Sequence, residues 1–394
     1  MKSNFTRVPT IFGVALLLGL VLFQCGTKQN PEPTYIHDTI NNTIIDTIIV
    51  RDTIRHTDTV IVVIPETREF IRGADLSFLP EIRQSGALFY DSLGNVKDAL
   101  QIFKENGCNT VRLRLWHNPS SGHSTLAEVQ AFAQEIKAKG MKVLLDFHYS
   151  DTWTDPGQQA KPSAWAALAD AALGDSVYQY TKRVVSLIQP DYVQIGNEIN
   201  GGMLWENGRL SKQDVFVGFL KKGVQAVREV LPQTKIIIHF AGINNSDYFY
   251  NVLKTKGLDY DIIGLSFYPV FHGNDLTALT TTMSQLVSKY GKKCMLAEMA
   301  YPFTLGWADN TNNTVGLSSQ LVTGYPATAE GQKQYLLKLR QIVTDNEKGF
   351  GFCYWAPDWI AFKGPTSTTG SNAENQALFN FNHKALPAMQ FYRQ

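Results

Sequence analysis

Between residues 66 and 394 one alternation repeats eight times: a short apolar run rich in β-branched residues, then a stretch of helical periodicity. The apolar runs are Phe70–Ala74, Thr110–Trp116, Lys142–Phe147, Tyr192–Ile195, Lys235–Phe240, Ile262–Ser266, Lys293–Ala297 and Gly349–Tyr354. The helical patterns include Asn95–Asn106, Thr125–Lys139, Ser176–Ile188, Lys212–Val230, Leu276–Tyr290 and Gly331–Thr344. Strand and helix in strict turn predict an α/β chain with a parallel sheet, and eight units predict a closed (β/α)8 TIM barrel. A doubly wound open sheet is the alternative, but no glycine-rich phosphate loop follows any of the strands. Right-handed crossovers place all eight strand C-termini on one face, where such barrels carry their chemistry.

The strand ends then become an inventory of that face. The fourth runs Asp191-Tyr192-Val193-Gln194-Ile195-Gly196-Asn197-Glu198, and the seventh runs Lys293-Cys294-Met295-Leu296-Ala297-Glu298. Each is a short apolar strand closing on a glutamate. Two carboxylates on one face are the minimum equipment for hydrolysing a glycosidic bond, and retention of configuration asks that they lie about 5–5.5 Å apart. In the second strand, Val111, Leu113 and Leu115 alternate with Arg112 and Arg114. If the aliphatic residues face the helices, both arginines point into the barrel and need anionic partners there. Asp75 closes the first strand, His117 follows the second and His148 the third, Tyr268 follows the sixth and Trp355 the eighth. These are expected to touch substrate, with Trp355 as a floor for a sugar ring.

Other chemistries lack their signatures. There is no HExxH, no Cys/His pairing at zinc spacing, no Walker loop and no GxSxG. With 36 basic and 35 acidic residues, the charge balance gives no reason to expect nucleic acid as a partner. Four cysteines are too few for a disulfide scaffold; Cys108, Cys294 and Cys353 read as small buried hydrophobes, although Cys294 and Cys353 fall on neighbouring strands. After the seventh strand, the loop Asp309-Asn310-Thr311-Asn312-Asn313 alternates oxygen donors. It reads either as a solvated turn or as a calcium loop with Asp309 and Asn313 as ligands.

The first 65 residues are not barrel. Lys2 and Arg7 precede an apolar run from Ile11 to Phe23, too short for an ordinary spanning helix, and the run stops at Cys25. Residues 1–25 resemble a bacterial lipoprotein signal with Cys25 as the lipidated residue. Residues 26–65 carry an irregular Asp/Asn-Thr-Ile/Val repeat, expected to form an extended stalk ahead of the 66–394 domain. A small strand pairing with a partner is the other reading of that stretch. A lipid-anchored protein of the cell envelope is expected, on an outer membrane or cell surface, working as a monomer.

The segments RGADLSFLPEI, GCNTVRLRLWHNP, LLDFHYSDTWTDPGQQAKP, VQIGNEIN, LAEMAYPFT, YWAPDW and NQALFNFNHKALP occur in order across residues 68–394. The chain thereby resembles the family 53 glycoside hydrolases, the endo-β-1,4-galactanases. The resemblance implies a (β/α)8 barrel with Glu198 as acid/base and Glu298 as nucleophile. It implies Asn197 on the sugar 2-hydroxyl, Arg112 supporting the nucleophile, and aromatic contacts from Tyr268 and Trp355. No cofactor is implied for the chemistry. Some members hold calcium in the loop after the seventh strand; here Thr311 stands where an acidic ligand would be expected. The implied substrate is β-1,4-galactan of type I arabinogalactan. The alternatives are another retaining barrel endo-glycanase, a mannanase or xylanase, or a surface glycan-binding protein without catalysis.

Overall fold

The computed structural model of the chain describes residues 34–40, 43–49 and 69–393. The signal-like segment, Cys25 and most of the repeat stretch lie outside the described residues. Within that stretch Thr34–Ile40 and Thr43–Ile49 are strands paired antiparallel, with Ile40 opposite Thr43.

Phe70–Arg393 form a separate compact unit. Its eight strands are β1 (Ile71–Asp75), β2 (Thr110–Leu115), β3 (Lys142–Phe147), β4 (Tyr192–Ile195), β5 (Lys235–Ala241), β6 (Ile262–Phe267), β7 (Lys293–Met299) and β8 (Gly349–Tyr354). They close in sequence order into a barrel, each parallel to its neighbours and β8 pairing with β1. The expected strands match to within two residues at each end. The helical patterns appear as Ala99–Glu105, Leu126–Ala138, Asp170–Ile188, Gln213–Val230, Leu276–Tyr290 and Ala329–Asp345. The first is shorter than expected because its turn begins only at Asp98, whose carboxylate accepts from the Gln101 N–H. One crossover helix, Ser246–Thr255, was not anticipated. Its three aromatic residues and an N-cap, Asn245, whose side chain makes no capping bond give it little helical signature.

The period of two sets the core. Val111, Leu113 and Leu115 of β2, and Ile236, Ile238 and Phe240 of β5, belong to the layer under the helices. The residues between them point inward, where Ile71, Leu144, Tyr192, Ile237, Ile262, Met295, Phe350 and Cys353 make a small apolar plug. Above the plug the inward positions turn polar: Arg112, Asp146, Gln194, His239 and Ser266 are all buried. Cys294 faces the helices and Cys353 the plug, so alternation on adjacent strands keeps them apart; both are free thiols.

β7 breaks the alternation at a chosen point. Leu296 pairs with Leu265, but the next partner of β6, Ser266, pairs with Glu298. Towards β8 the ladder likewise jumps from Leu296 to Met299. Ala297 is thus the extra residue of a β-bulge, and it brings Glu298 inward although Met295, three positions earlier, already faces inward.

Candidate active site

At the C-terminal mouth of the barrel a cleft of about 810 Å³ is lined by residues from the loops after the strands, with Glu198 and Glu298 on its floor. Oxygens of these two carboxylates and a nitrogen of His239 lie within 4.8 Å of one another. Glu198 reaches its position through a strained turn: Gly196 has φ +81°, and Glu198 itself has φ +47°. A Cβ at residue 196 would stand 2.7 Å from Ile199 Cγ2, so only glycine fits there. A glutamate in the left-handed region costs on the order of 1–3 kcal/mol, which the surrounding bonds must offset. Gln159 supplies part of this, donating from Nε2 to the Asn197 carbonyl at 2.8 Å.

The two carboxylates sit in opposite electrical surroundings. Glu298 Oε1 is 2.8 Å from Arg112 Nη2, and Glu298 Oε2 accepts from Tyr268 Oη at 2.8 Å. Glu198 has no cation in contact among the described residues; its Oε1 accepts from Ser266 Oγ at 2.5 Å. Burial drives both carboxyls upward, and the charge of Glu298 pushes Glu198 further in the same direction. Arg112 and the Tyr268 hydroxyl pull Glu298 back below its neighbour. One proton shared by this pair therefore resides on Glu198, leaving Glu298 ionised.

Arg112 is the hub. It donates to Asp75 at 2.6 Å, to Asp146 at 2.9 Å and to Asn197 Oδ1 at 2.8 Å, as well as contacting Glu298. Three carboxylates on one buried guanidinium explain why the inward arginine of β2 is tolerated. Asn197 donates one Nδ2 hydrogen to Thr154 O at 2.8 Å, so its amide is clamped with the second N–H left for a ligand. His239 Nδ1 lies 3.0 Å from Asn197 Oδ1, 3.1 Å from Gln194 Nε2 and 3.4 Å from the Glu198 amide nitrogen, and its Nε2 lies 2.8 Å from Ser266 Oγ. Both nitrogens are engaged within the protein, and His239 holds the serine that holds Glu198. His148 donates to Asp146 at 3.0 Å and accepts at Nδ1 from the Thr154 N–H at 3.1 Å.

Of the residues anticipated from sequence, Asp75, Arg112, His148, Asn197, Glu198, Tyr268, Glu298 and Trp355 all line the cleft. His117 does not. Its ring packs on Trp165 and Tyr180, with Asp151 3.6 Å away. The strand period explains the correction: positions 111, 113 and 115 face the helices, and 117 continues that side.

Other cleft residues were not anticipated, namely Trp153, Trp359, Phe271 and His272, nor was the pair His239 and Ser266 that buttresses Glu198 from beneath; Arg114 also lines the cleft. The guanidinium of Arg114 lies 4.0 Å from the Trp153 ring centroid, 4.3 Å from Trp116 and 4.7 Å from Phe78. No carboxylate among the described residues is within ion-pair distance of it. Its Nε donates to Ser124, and the group opens on the cleft beside Trp153, Trp355 and Trp359.

The loop after β7 carries two buried oxygens without a hydrogen-bond partner, Asp309 Oδ2 and Asn313 Oδ1, and the loop after β8 brings a third, Glu374 Oε2. Asn313 and the charge of Asp309 both act on the Glu374 carboxyl, so the three are neighbours. Two carboxylates and an amide oxygen are a donor set for a hard cation such as calcium, with backbone or water completing the shell. Thr311 is not part of it; its hydroxyl donates to Ser367 O and accepts from the Gly370 N–H. Glu374 is the member that sequence reading missed, because it lies beyond β8.

Comparison with known proteins agrees with this geometry. The profile of glycosyl hydrolase family 53 matches residues 71–392. An arabinogalactan endo-β-1,4-galactanase of Cellvibrio japonicus is 36% identical over 349 residues, covering 84% of this chain and 92% of that protein. An endo-β-1,4-galactanase of Bacillus subtilis is 31% identical, covering 83% and 86%. Among solved structures, the family 53 catalytic domain of Ignisphaera aggregans superposes with a TM-score of 0.79 at 39% identity, over 84% of this chain and 97% of that one.

Proposed function

The chain belongs to glycosyl hydrolase family 53, and from that premise we propose that it is an endo-β-1,4-galactanase acting on the galactan of type I arabinogalactan with retention at the anomeric carbon. The observation that carries the reading is the pair Glu198 and Glu298: neighbouring carboxylates of which one is matched by Arg112 and Tyr268 and the other is not.

The reaction follows from that asymmetry. An oxygen of ionised Glu298 attacks C1 of the galactosyl unit while the C1–O bond to the departing chain breaks and Glu198 delivers its proton to that oxygen. Arg112 and Tyr268 keep Glu298 a carboxylate before attack and make it an adequate leaving group afterwards. In the second half Glu198, now ionised, takes a proton from water as the water oxygen bonds C1 and the ester to Glu298 breaks. Asn197 presents its remaining N–H to the 2-hydroxyl, and Trp355, close to Tyr268, gives the sugar ring an apolar face to lie on. Calcium held by Asp309, Asn313 and Glu374 would tie the β7 and β8 loops together and take no part in the chemistry. The N-terminal segment supports a lipid anchor at Cys25 and a place in the cell envelope, the enzyme working there as a monomer.

A panel of β-1,4-galactan, mannan and xylan, assayed for reducing ends with wild type, Glu198→Ala and Glu298→Ala, tests the reading. Galactan should be cut and the other two left; Glu298→Ala should lose nearly all turnover, and Glu198→Ala should recover on activated aryl substrates when azide is added. An inverted anomer in the first product, seen by NMR, would overturn the mechanism.

A further inference from the structure

The turn that presents Glu198 is fastened from the neighbouring strand. Gln159 lies in the loop after β3, next to β4 in the barrel, and is 1% exposed. Its Nε2 donates to Asn197 O at 2.8 Å, to Asp155 O at 3.1 Å and to Glu198 O at 3.3 Å, two hydrogens serving three acceptors. Asn197 O and Glu198 O belong to the peptides on either side of the Glu198 Cα. One amide thus governs both planes whose rotation aims the side chain of Glu198. No other group among the described residues donates to either carbonyl. Asn197 and Glu198 are buried and Glu198 is left-handed, so without this donor the turn must shift to satisfy two acceptors. Gln159 is itself fixed: its carbonyl accepts from the Trp205 N–H at 2.8 Å, and Ala160 bridges to Trp205 in the loop after β4. Gln158 lines the cleft and Gln159 does not, so the clamp works from behind the substrate.

We infer that Gln159 is a positioning residue that sets the aim of the Glu198 proton. Glu298 is held by a separate set, Arg112 and Tyr268, neither of which touches Gln159. The Asn197 side chain likewise has its own anchors, Arg112 and Thr154 O. Loss of the clamp therefore falls on proton delivery. Glu298 still attacks C1, and the C1–O bond to the departing chain breaks more slowly in proportion to that oxygen's need for a proton. In the second half Glu198 takes a proton from water, so opening of the ester to Glu298 slows as well. This assignment rests on the galactanase reading above, with Glu198 as its acid/base.

The test compares galactopentaose, whose leaving oxygen needs a proton, with 2,4-dinitrophenyl β-1,4-galactobioside, whose phenolate departs without one. In Gln159→Met, a linear side chain of similar size with no donor, kcat/KM on the pentaose should drop about 100-fold, the scale of a reacting group displaced by about 1 Å. On the dinitrophenyl compound kcat/KM should stay near the wild-type value, while kcat, limited by the ester, should fall and return when azide is added. Equal losses of kcat/KM on both substrates would mark Gln159 as merely structural and overturn the proposal, as would no loss on either. A second variant, Gln159→Glu, donates only while its carboxyl is protonated. Its pentaose-to-dinitrophenyl ratio, taken relative to wild type at each pH, should rise as pH falls; a ratio indifferent to pH overturns the proposal even if Gln159→Met does not fold. Wild type inert on both substrates would instead refute the galactanase reading.

Discussion

Replacing Tyr268 with phenylalanine removes one oxygen and changes a measurable limb of the pH profile. The hydroxyl donates to Glu298 Oε2 at 2.8 Å, while Arg112 serves Oε1 at the same distance. A hydrogen bond to an ionised acceptor contributes about 1.5–3 kcal/mol, and here it favours only the ionised form of Glu298. At about 1.36 kcal/mol per pKa unit, Tyr268→Phe should raise the Glu298 carboxyl by roughly one to two units. Glu298 must be ionised to attack. The acidic limb of kcat/KM on soluble galactan should therefore move towards neutrality by that amount, while the alkaline limb, set by loss of the Glu198 proton, moves less. The bell narrows from its acid side. If kcat/KM fell at every pH with the acidic limb unmoved, Tyr268 would be a sugar contact and the assignment of Glu298 as the ionised partner would lose its support.

Glu198 makes a prediction about stability. Its ordinary pKa of 4.5 is raised on folding, first by burial and then by Glu298. Below that value both states are protonated and nothing is lost. As pH rises through it the unfolded chain ionises first, so the native state is progressively penalised. Glu198→Gln should raise the melting temperature at pH 7, with the gain fading towards pH 4; calorimetry showing equal or lower values at pH 7 would contradict this. Arg112→Met should destabilise by about 3–5 kcal/mol in urea unfolding, because Asp75, Asp146 and Glu298 lose their common cation. A chelator should lower the melting temperature and calcium should restore it, with Asp309→Asn blunting the response; an unchanged melting curve would remove calcium from the site.

Much of this was readable before any coordinates, and the reason is the period of two. Parity in β2 places Arg112 and Arg114 inside the barrel, and the short apolar runs ending in Glu198 and Glu298 mark the mouth. Parity applied without exception would have done more. It excludes His117, which lies on the same side as Leu115, and it points to His239, inward between Ile238 and Phe240. At 117 residue type was weighed ahead of position, and position 239 drew no reading. What the sequence could not disclose is pairing across loops. Glu374 joins Asp309 from the far side of β8, Ser266 meets Glu198 from two strands away, and Phe271 gains its meaning only from the cleft it borders. The helix Ser246–Thr255 escaped for a plainer reason, being held by burial of Phe249, Tyr250 and Leu253 and not by its own propensity.

The extra residue in β7 has a consequence for anyone rebuilding this scaffold. A perfectly regular strand would carry Met295 and Ala297 to the inside and turn Glu298 towards the helices, intact in composition and useless in position. An idealised barrel that copied every side chain but restored a uniform ladder would discard the nucleophile without altering a single residue. Removing Ala297 from the protein itself would do the reverse: Glu298 would follow Leu296 directly and, by parity, still face inward opposite Ser266.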